Sequence, residues 1–329
     1  MKEIALSLFV LQVSLGFPSA ALAGVEDWRA HMQALSKSLI DVFPFIYSKS
    51  EFRDPANRKR ISTQLKKLST TAHSLPEQSG QVLLGAEPLV RDARTSISAG
   101  FERAYGLFER KNYAAAQTES QQTVFKCFAC HTATQIGARF SATNPEVMEM
   151  ATPFAQGKVF VYGALRQFNG ALEFIEKQPP TLEYVKLHLI VSLRGLQEFD
   201  RAEKYLEKVS PHFKKDKTGS ELITQWTKDL RKWKATPDSG SSERPVGELA
   251  FVDELRETLV LHRKVLDKNL TAQSKAETYL RLGELYALLR VEALRGLSAL
   301  YFEACRNEKP SEDLLKKCSV PVEALSNQT

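Results

Sequence analysis

The sequence predicts an all-α chain, with a four-helix bundle followed by stacked helical hairpins. Three observations carry this. Four apolar stripes at helical spacing fall between Gly24 and about Arg139. Further on, a ten-residue segment recurs at an offset of 31 residues. No stretch shows the strict alternation or the turn spacing of a sheet.

The elements follow in order. Lys2 precedes an apolar run from Ile4 to Phe17, then Pro18, then Ala21-Leu22-Ala23 before Gly24. That is the layout of a signal peptide, so residues 1–23 are expected to be removed after Ala23 and the mature protein to be periplasmic. The run is shorter than the roughly 20 apolar residues of a membrane span. No Cys follows the cleavage site, so neither stable membrane insertion nor a lipid anchor is expected.

The first stripe is Trp28, Met32, Leu35, Leu39, Val42 and Ile46, with Pro44 set to end or bend its helix. The second, after Asp54-Pro55, is Ile61, Leu65, Leu68 and Ala72. The third starts near Glu87-Pro88 and aligns Ala93, Ile97, Phe101, Ala104, Tyr105 and Phe108. The fourth runs from Tyr113 through Val124, Phe125, Cys127, Phe128 and His131 and fades at Gly137. Four helices with short connections bury one stripe each against a common core. This unit spans residues 24–142.

On the fourth helix, Cys127-Phe128-Ala129-Cys130-His131 has the C-x-x-C-H spacing of covalent haem attachment. Two thiols add to the two vinyl groups of one porphyrin, and the adjoining His131 is held as axial iron ligand. The competing reading, a thioredoxin-like redox pair, wants a βαβ setting that is not visible nearby. One haem c per chain is the expected cofactor. Such haem is installed outside the bacterial inner membrane, which agrees with the export signal.

Roughly a hundred mature residues precede the motif. In that placement, in its four stripes and in the Trp28-Arg29-x-x-Met32 segment, residues 24 to about 140 resemble the class II c-type cytochromes, the cytochrome c-prime family and its low-spin relatives. The resemblance implies a four-helix bundle whose first helix covers the haem face opposite the histidine. An apolar residue there leaves the iron five-coordinate, and a Met makes it six-coordinate. Met32 is therefore the candidate sixth ligand. The family's Arg four residues earlier is replaced here by Trp28, with Arg29 three before. A register shifted by one puts Gln33 at the haem instead. Met32 as plain core filler is the other alternative.

Other ligand candidates are weaker. His31 points off the main stripe, and His73 closes the second helix. Met148 and Met150 sit in an expected linker, 141–153. His188, His212 and His262 read as surface or structural residues. No Ser/His/Asp or paired-carboxylate arrangement stands out, so hydrolytic catalysis has no support.

Residues 153–234 carry the repeat. Phe168 to Lys177 matches Phe199 to Lys208, close to the roughly 34-residue period of tetratricopeptide repeats. Tyr279-x-x-Leu282-Gly283-x-x-Tyr286 resembles the first-helix pattern of the same repeat, with Tyr for Trp. A Pro- and Ser-rich linker occupies 235–247. Beyond it, the region 248–320 reads as two long helices, 248–269 and 272–307. Near its end, Cys305 and Cys318 are left over from the haem motif, and in an oxidising compartment they are expected to form a disulfide.

Of the 329 residues, 43% are hydrophobic and 26% charged, with net charge +6. The charges are interspersed, so no nucleic-acid partner is expected. A mildly basic surface suits an acidic redox protein, and stacked hairpins commonly bind another protein. Packing on the haem bundle, or homodimerisation, is the plainer use of that half. Two functions follow as expectations. One is a periplasmic electron carrier whose repeats dock redox partners. The other is a sensor or binder of CO, NO or O2 with five-coordinate iron.

Overall fold

A computed structural model describes residues 19–74, 88–134, 155–236, 247–267, 269–289 and 292–319. Every described regular element is helical. The expected linkers at 141–153 and 237–245, with Met148 and Met150, lie outside the described residues. So do residues 1–18 of the expected signal peptide and the side chains of Trp28, Arg29 and Ala93. Among the described residues no helix is long and apolar enough to cross a membrane.

The helices are α1 (Ser19–Ile46), α2 (Lys49–Arg53), α3 (Arg58–His73), α4 (Pro88–Glu109) and α5 (Tyr113–Thr134). They continue as α6 (Ala155–Ala164), α7 (Phe168–Glu176), α8 (Leu182–Leu189), α9 (Phe199–Val209) and α10 (Lys217–Ala235). The last four are α11 (Phe251–Val265), α12 (Ala272–Leu288), α13 (Glu292–Asn307) and α14 (Glu312–Cys318).

The first long helices lie antiparallel in chain order. The Arg60 guanidinium covers the Phe45 ring at 5.1 Å, which pairs the start of α3 with the end of α1. Ser62 donates to Glu109 at 2.7 Å, pairing the start of α3 with the end of α4. Arg103 meets Glu119 at 2.7 Å across the α4–α5 turn. The buried stripes are the spaced apolar positions: Ile61, Leu65, Leu68 and Ala72 on α3, and Ile97, Phe101, Ala104 and Phe108 on α4. On α1 the burial begins at Ser38; Met32 and Leu35 are half-buried. Pro44 sits within the last turn of α1, and the helix stops two residues later.

The internal repeat has a backbone signature. The helix pairs α6–α7 and α8–α9 each turn on a left-handed residue, Arg166 (φ 55°) and Gln197 (φ 60°), which are 31 positions apart. Each turn also opens its second helix with a matching bond, Ala171 N–H to the Gln167 carbonyl and Ala202 N–H to the Glu198 carbonyl. The pairs are not identical, because α8 runs on as a π-helical segment, Ile190–Leu196. In that segment Arg194, fully buried, donates to the Tyr286 hydroxyl at 2.8 Å, which meets His262 Nε2 at 2.7 Å.

One expectation changes. The 272–307 stretch is not one helix: α12 ends at Leu288, Leu289 is extended (ψ 98°), and α13 starts at Glu292. No Gly or Pro marks that break. It is set by packing, since Gly283 lets the Phe302 ring of α13 approach α12 and Ser298 donates to the Gly283 carbonyl. Of the histidines expected to be surface or structural, His188 and His262 are buried, the structural case, and His212 is exposed. Cys305 and Cys318 form the expected disulfide, with Cα atoms 5.9 Å apart, tying α14 to α13.

Candidate haem-attachment site

Helix α5 is enclosed on several sides. It packs on α4 across one face and on α6 across another, while the π-segment, α11 and α13 also reach it. A helix so surrounded buries residues on more than one face, and here Thr118 and Gln122 are left exposed. At 100° per residue, Ser120, Thr123, Cys127 and Cys130 share a face at spacings of three, four and three. That face continues the side turned to α4, where Glu119 pairs with Arg103 and Thr123 lies against Gly100.

Phe125 and Phe128 point elsewhere. Their rings meet Phe160 of α6 at centroid distances of 4.1 and 5.3 Å, and Gly163 of α6 sits under Phe128. The single stripe expected from the sequence is thus two faces. His131 falls on the seam between them, one turn beyond Cys127.

The chemistry of each group follows from these surroundings. Cys127 and Cys130 are half-buried and not joined in a disulfide. Burial pushes the Cys127 thiol up to about 12, against opposing pulls from its backbone and Lys126. That is opposite in sign to the lowered thiol of a redox C-x-x-C pair. Tyr47, buried at the end of α1, is also held above its ordinary range by burial and by the neighbouring Cys127.

His131 is half-buried, with Nδ1 shut off from solvent and without a hydrogen-bond partner. Burial lowers its pKa to about 4, helped by the nearby Arg166 charge and opposed by the Ala164 and Gly163 carbonyls. Arg166 is itself buried in the α6–α7 turn.

These residues fit haem c. Two unbridged cysteines and an imidazole with an unpartnered buried nitrogen lie within five residues of one helix. Among the described residues, no three His, Cys, Asp or Glu side chains converge as a site for a bare metal ion.

Met32 is not seen in contact with the motif; helix rise relates the two along the bundle. Gln117 and Gln121 of α5 both donate to the Ile46 carbonyl at 2.9 Å. Met32 lies fourteen residues before Ile46, about 21 Å along α1 at 1.5 Å per residue. His131 lies ten to fourteen residues beyond the two glutamines, about 15–21 Å along α5. Since α1 and α5 run antiparallel, both displacements point the same way, and Met32 stands near the level of His131. Gln33 is exposed, His31 half-buried, and His73 exposed at the end of α3.

Tyr47 and Arg166 were not singled out by sequence. Tyr47 carried a weak signal, as it directly follows the stripe residue Ile46. Arg166 carried none, because only the parallel packing of α6 on α5 brings it to His131. No family model, curated protein or solved structure matches this chain.

Proposed function

We propose that this chain is an exported monohaem c-type cytochrome that passes single electrons to and from a redox protein partner. In this reading α1, α3, α4 and α5 form a haem bundle resembling that of the class II cytochromes. Helices α6 to α10, with the α12–α13 hairpin, form a tetratricopeptide-like half, and the protein resides in the periplasm after cleavage behind Ala23.

The observation that carries the proposal is the C-x-x-C-H motif on an enclosed helix, with two unbridged thiols and a buried, unpartnered His131 Nδ1. When bound, haem c supplies a one-electron Fe(III)/Fe(II) couple. Cys127 and Cys130 would hold it by thioether bonds, and His131 would present its neutral imidazole to the iron. Met32, on the antiparallel α1, is the proposed sixth ligand. The enclosing helices α4, α6 and α13 limit water around the group.

A second reading has one observation in its favour. Met32 is only half-buried, and α1 makes few close approaches to α5. An iron left open on that side would bind CO, NO or O2.

The test is expression with a c-type haem maturation system, followed by haem staining after denaturing electrophoresis and by absorption spectra with and without carbon monoxide. The wild type should retain haem through denaturation, and Cys127→Ala with Cys130→Ala should lose it. A low-spin spectrum that becomes high-spin in Met32→Ala supports the electron carrier. A high-spin wild type that responds to carbon monoxide supports gas binding. No covalent haem in the wild type overturns both.

A further inference from the structure

Helix α3 departs from the charge pattern of the rest of the fold. Among the described helices of 15 residues or more, it alone carries Lys or Arg and no carboxylate. Arg58, Lys59, Arg60, Lys66 and Lys67 are all exposed. Three of them crowd its first turn, where the positive end of the helix dipole disfavours cations. The Asn57 side chain makes no capping bond to offset this. One turn away from these residues, at positions 62 and 63, where a carboxylate would stabilise the helix, stand the neutral Ser62 and Thr63.

The fold makes limited use of this charge. Arg58 lies over the Tyr113 ring and Arg60 over Phe45, each at 5.1 Å. Lys59, Lys66 and Lys67 make no ion pair among the described residues. Other helices show the usual arrangement: Arg231 pairs with Glu203 and Glu207, Lys234 with Asp200, and Arg281 with Glu257. Local rules broken without an internal gain point to an external use.

We infer that the outer face of α3 is a docking surface for an acidic protein. Charge complementarity selects the occupant. The apolar side of α3 (Ile61, Leu65, Leu68, Ala72) is fully buried, so no apolar edge remains to enter a lipid surface. Glu109, which accepts from Ser62, sets a carboxylate at the margin of the face and so interrupts the continuous cation track that a phosphate backbone would follow. The exposed Thr63 and Thr70 lie among the cations. The inference rests on this charge placement and stands whether or not the chain carries haem.

The test uses the full chain and a fluorescein-labelled Ala/Glu helical peptide as the acidic probe, with fluorescence anisotropy at low ionic strength. The variant is Lys59→Glu/Lys66→Glu/Lys67→Glu. Its control is Lys214→Glu/Lys215→Glu/Lys217→Glu, exposed positions just before and at the start of α10, with the same change in net charge. The α3 variant should bind about tenfold more weakly and the control within about threefold of wild type. Circular dichroism checks the fold; if the Glu variant loses helix, the corresponding triple Ala variant takes its place. Equal weakening in both variants, no binding by wild type, or preferential binding to phosphatidylglycerol vesicles overturns the proposal.

Discussion

Glu176 ends α7 between two partners from the following repeat unit. It accepts from His188 Nε2 at 3.2 Å and from Arg201 Nε at 2.9 Å. Its carboxyl is held at about 2 against an ordinary 4.5, first by the His188 bond and then by Arg201, with burial opposing. His188 is fully buried and stacks on Tyr205 at 3.8 Å. Burial outweighs the attraction of Glu176 and keeps the His188 pKa below its ordinary value. The ring is therefore neutral at pH 7 and serves as N–H donor, leaving Nδ1 without a partner, and Arg201 supplies the opposite charge. A carboxyl with a lowered folded pKa stabilises fully above its ordinary value, and that contribution is lost as pH falls from about 4.5 to about 2. Denaturant midpoints should thus show wild type ahead of Glu176→Gln at pH 6, with the gap closing between pH 5 and pH 2.5. A gap that does not change with pH would rule out the ionised pair. None of this was visible in the sequence, where His188 had no marked partner.

At the scale of the element, α5 carries the motif on one face and its aromatic contacts on another. Periodicity reads a single stripe when a helix packs along one face, and α5 is covered along several, with Thr118 and Gln122 left exposed. The sequence therefore placed Phe125 and Phe128 with Cys127 and His131, and packing separates them. The approach of α6 depends on Gly163: a Cβ there would overlap the fully buried Phe128 ring. Gly163→Ala should destabilise by about 1–3 kcal/mol, read as a lowered denaturant midpoint. Gly106→Ala is the comparison, since its Cβ would meet only the flexible Arg110 side chain at 3.4 Å. It should be neutral or stabilising by up to about 1 kcal/mol. A similar loss in both would mean that the α5–α6 contact is not specially tight.

For the whole molecule, the carboxy-terminal helices cover the motif helix, because α13 packs on both α4 and α5 and α11 reaches α5. The disulfide steadies this cover by joining the buried Cys305 of α13 to Cys318 of α14, across 13 positions. On the chain-entropy view, losing it costs about 3 kcal/mol. Cys305→Ser/Cys318→Ser should melt below wild type, and a thiol reductant should lower the melting temperature of wild type alone. An unchanged melting temperature on reduction would show that the bond does not constrain the unfolded chain.

The sequence by itself determined the helical class, the buried stripes of α3 and α4, the Cys127-x-x-Cys130-His131 spacing, the leftover Cys pair and the 31-residue repeat. Each is a local property, written in the spacing of residues along one helix or loop. Only the tertiary structure decided which way the faces of α5 point and that Arg166 and Tyr47 stand beside the motif. It also decided that the chain turns after Leu288 with no breaker residue, and that His188 and His262 are buried. Those depend on which helix packs against which, and spacing within a helix fixes the face it buries without naming the partner that covers it.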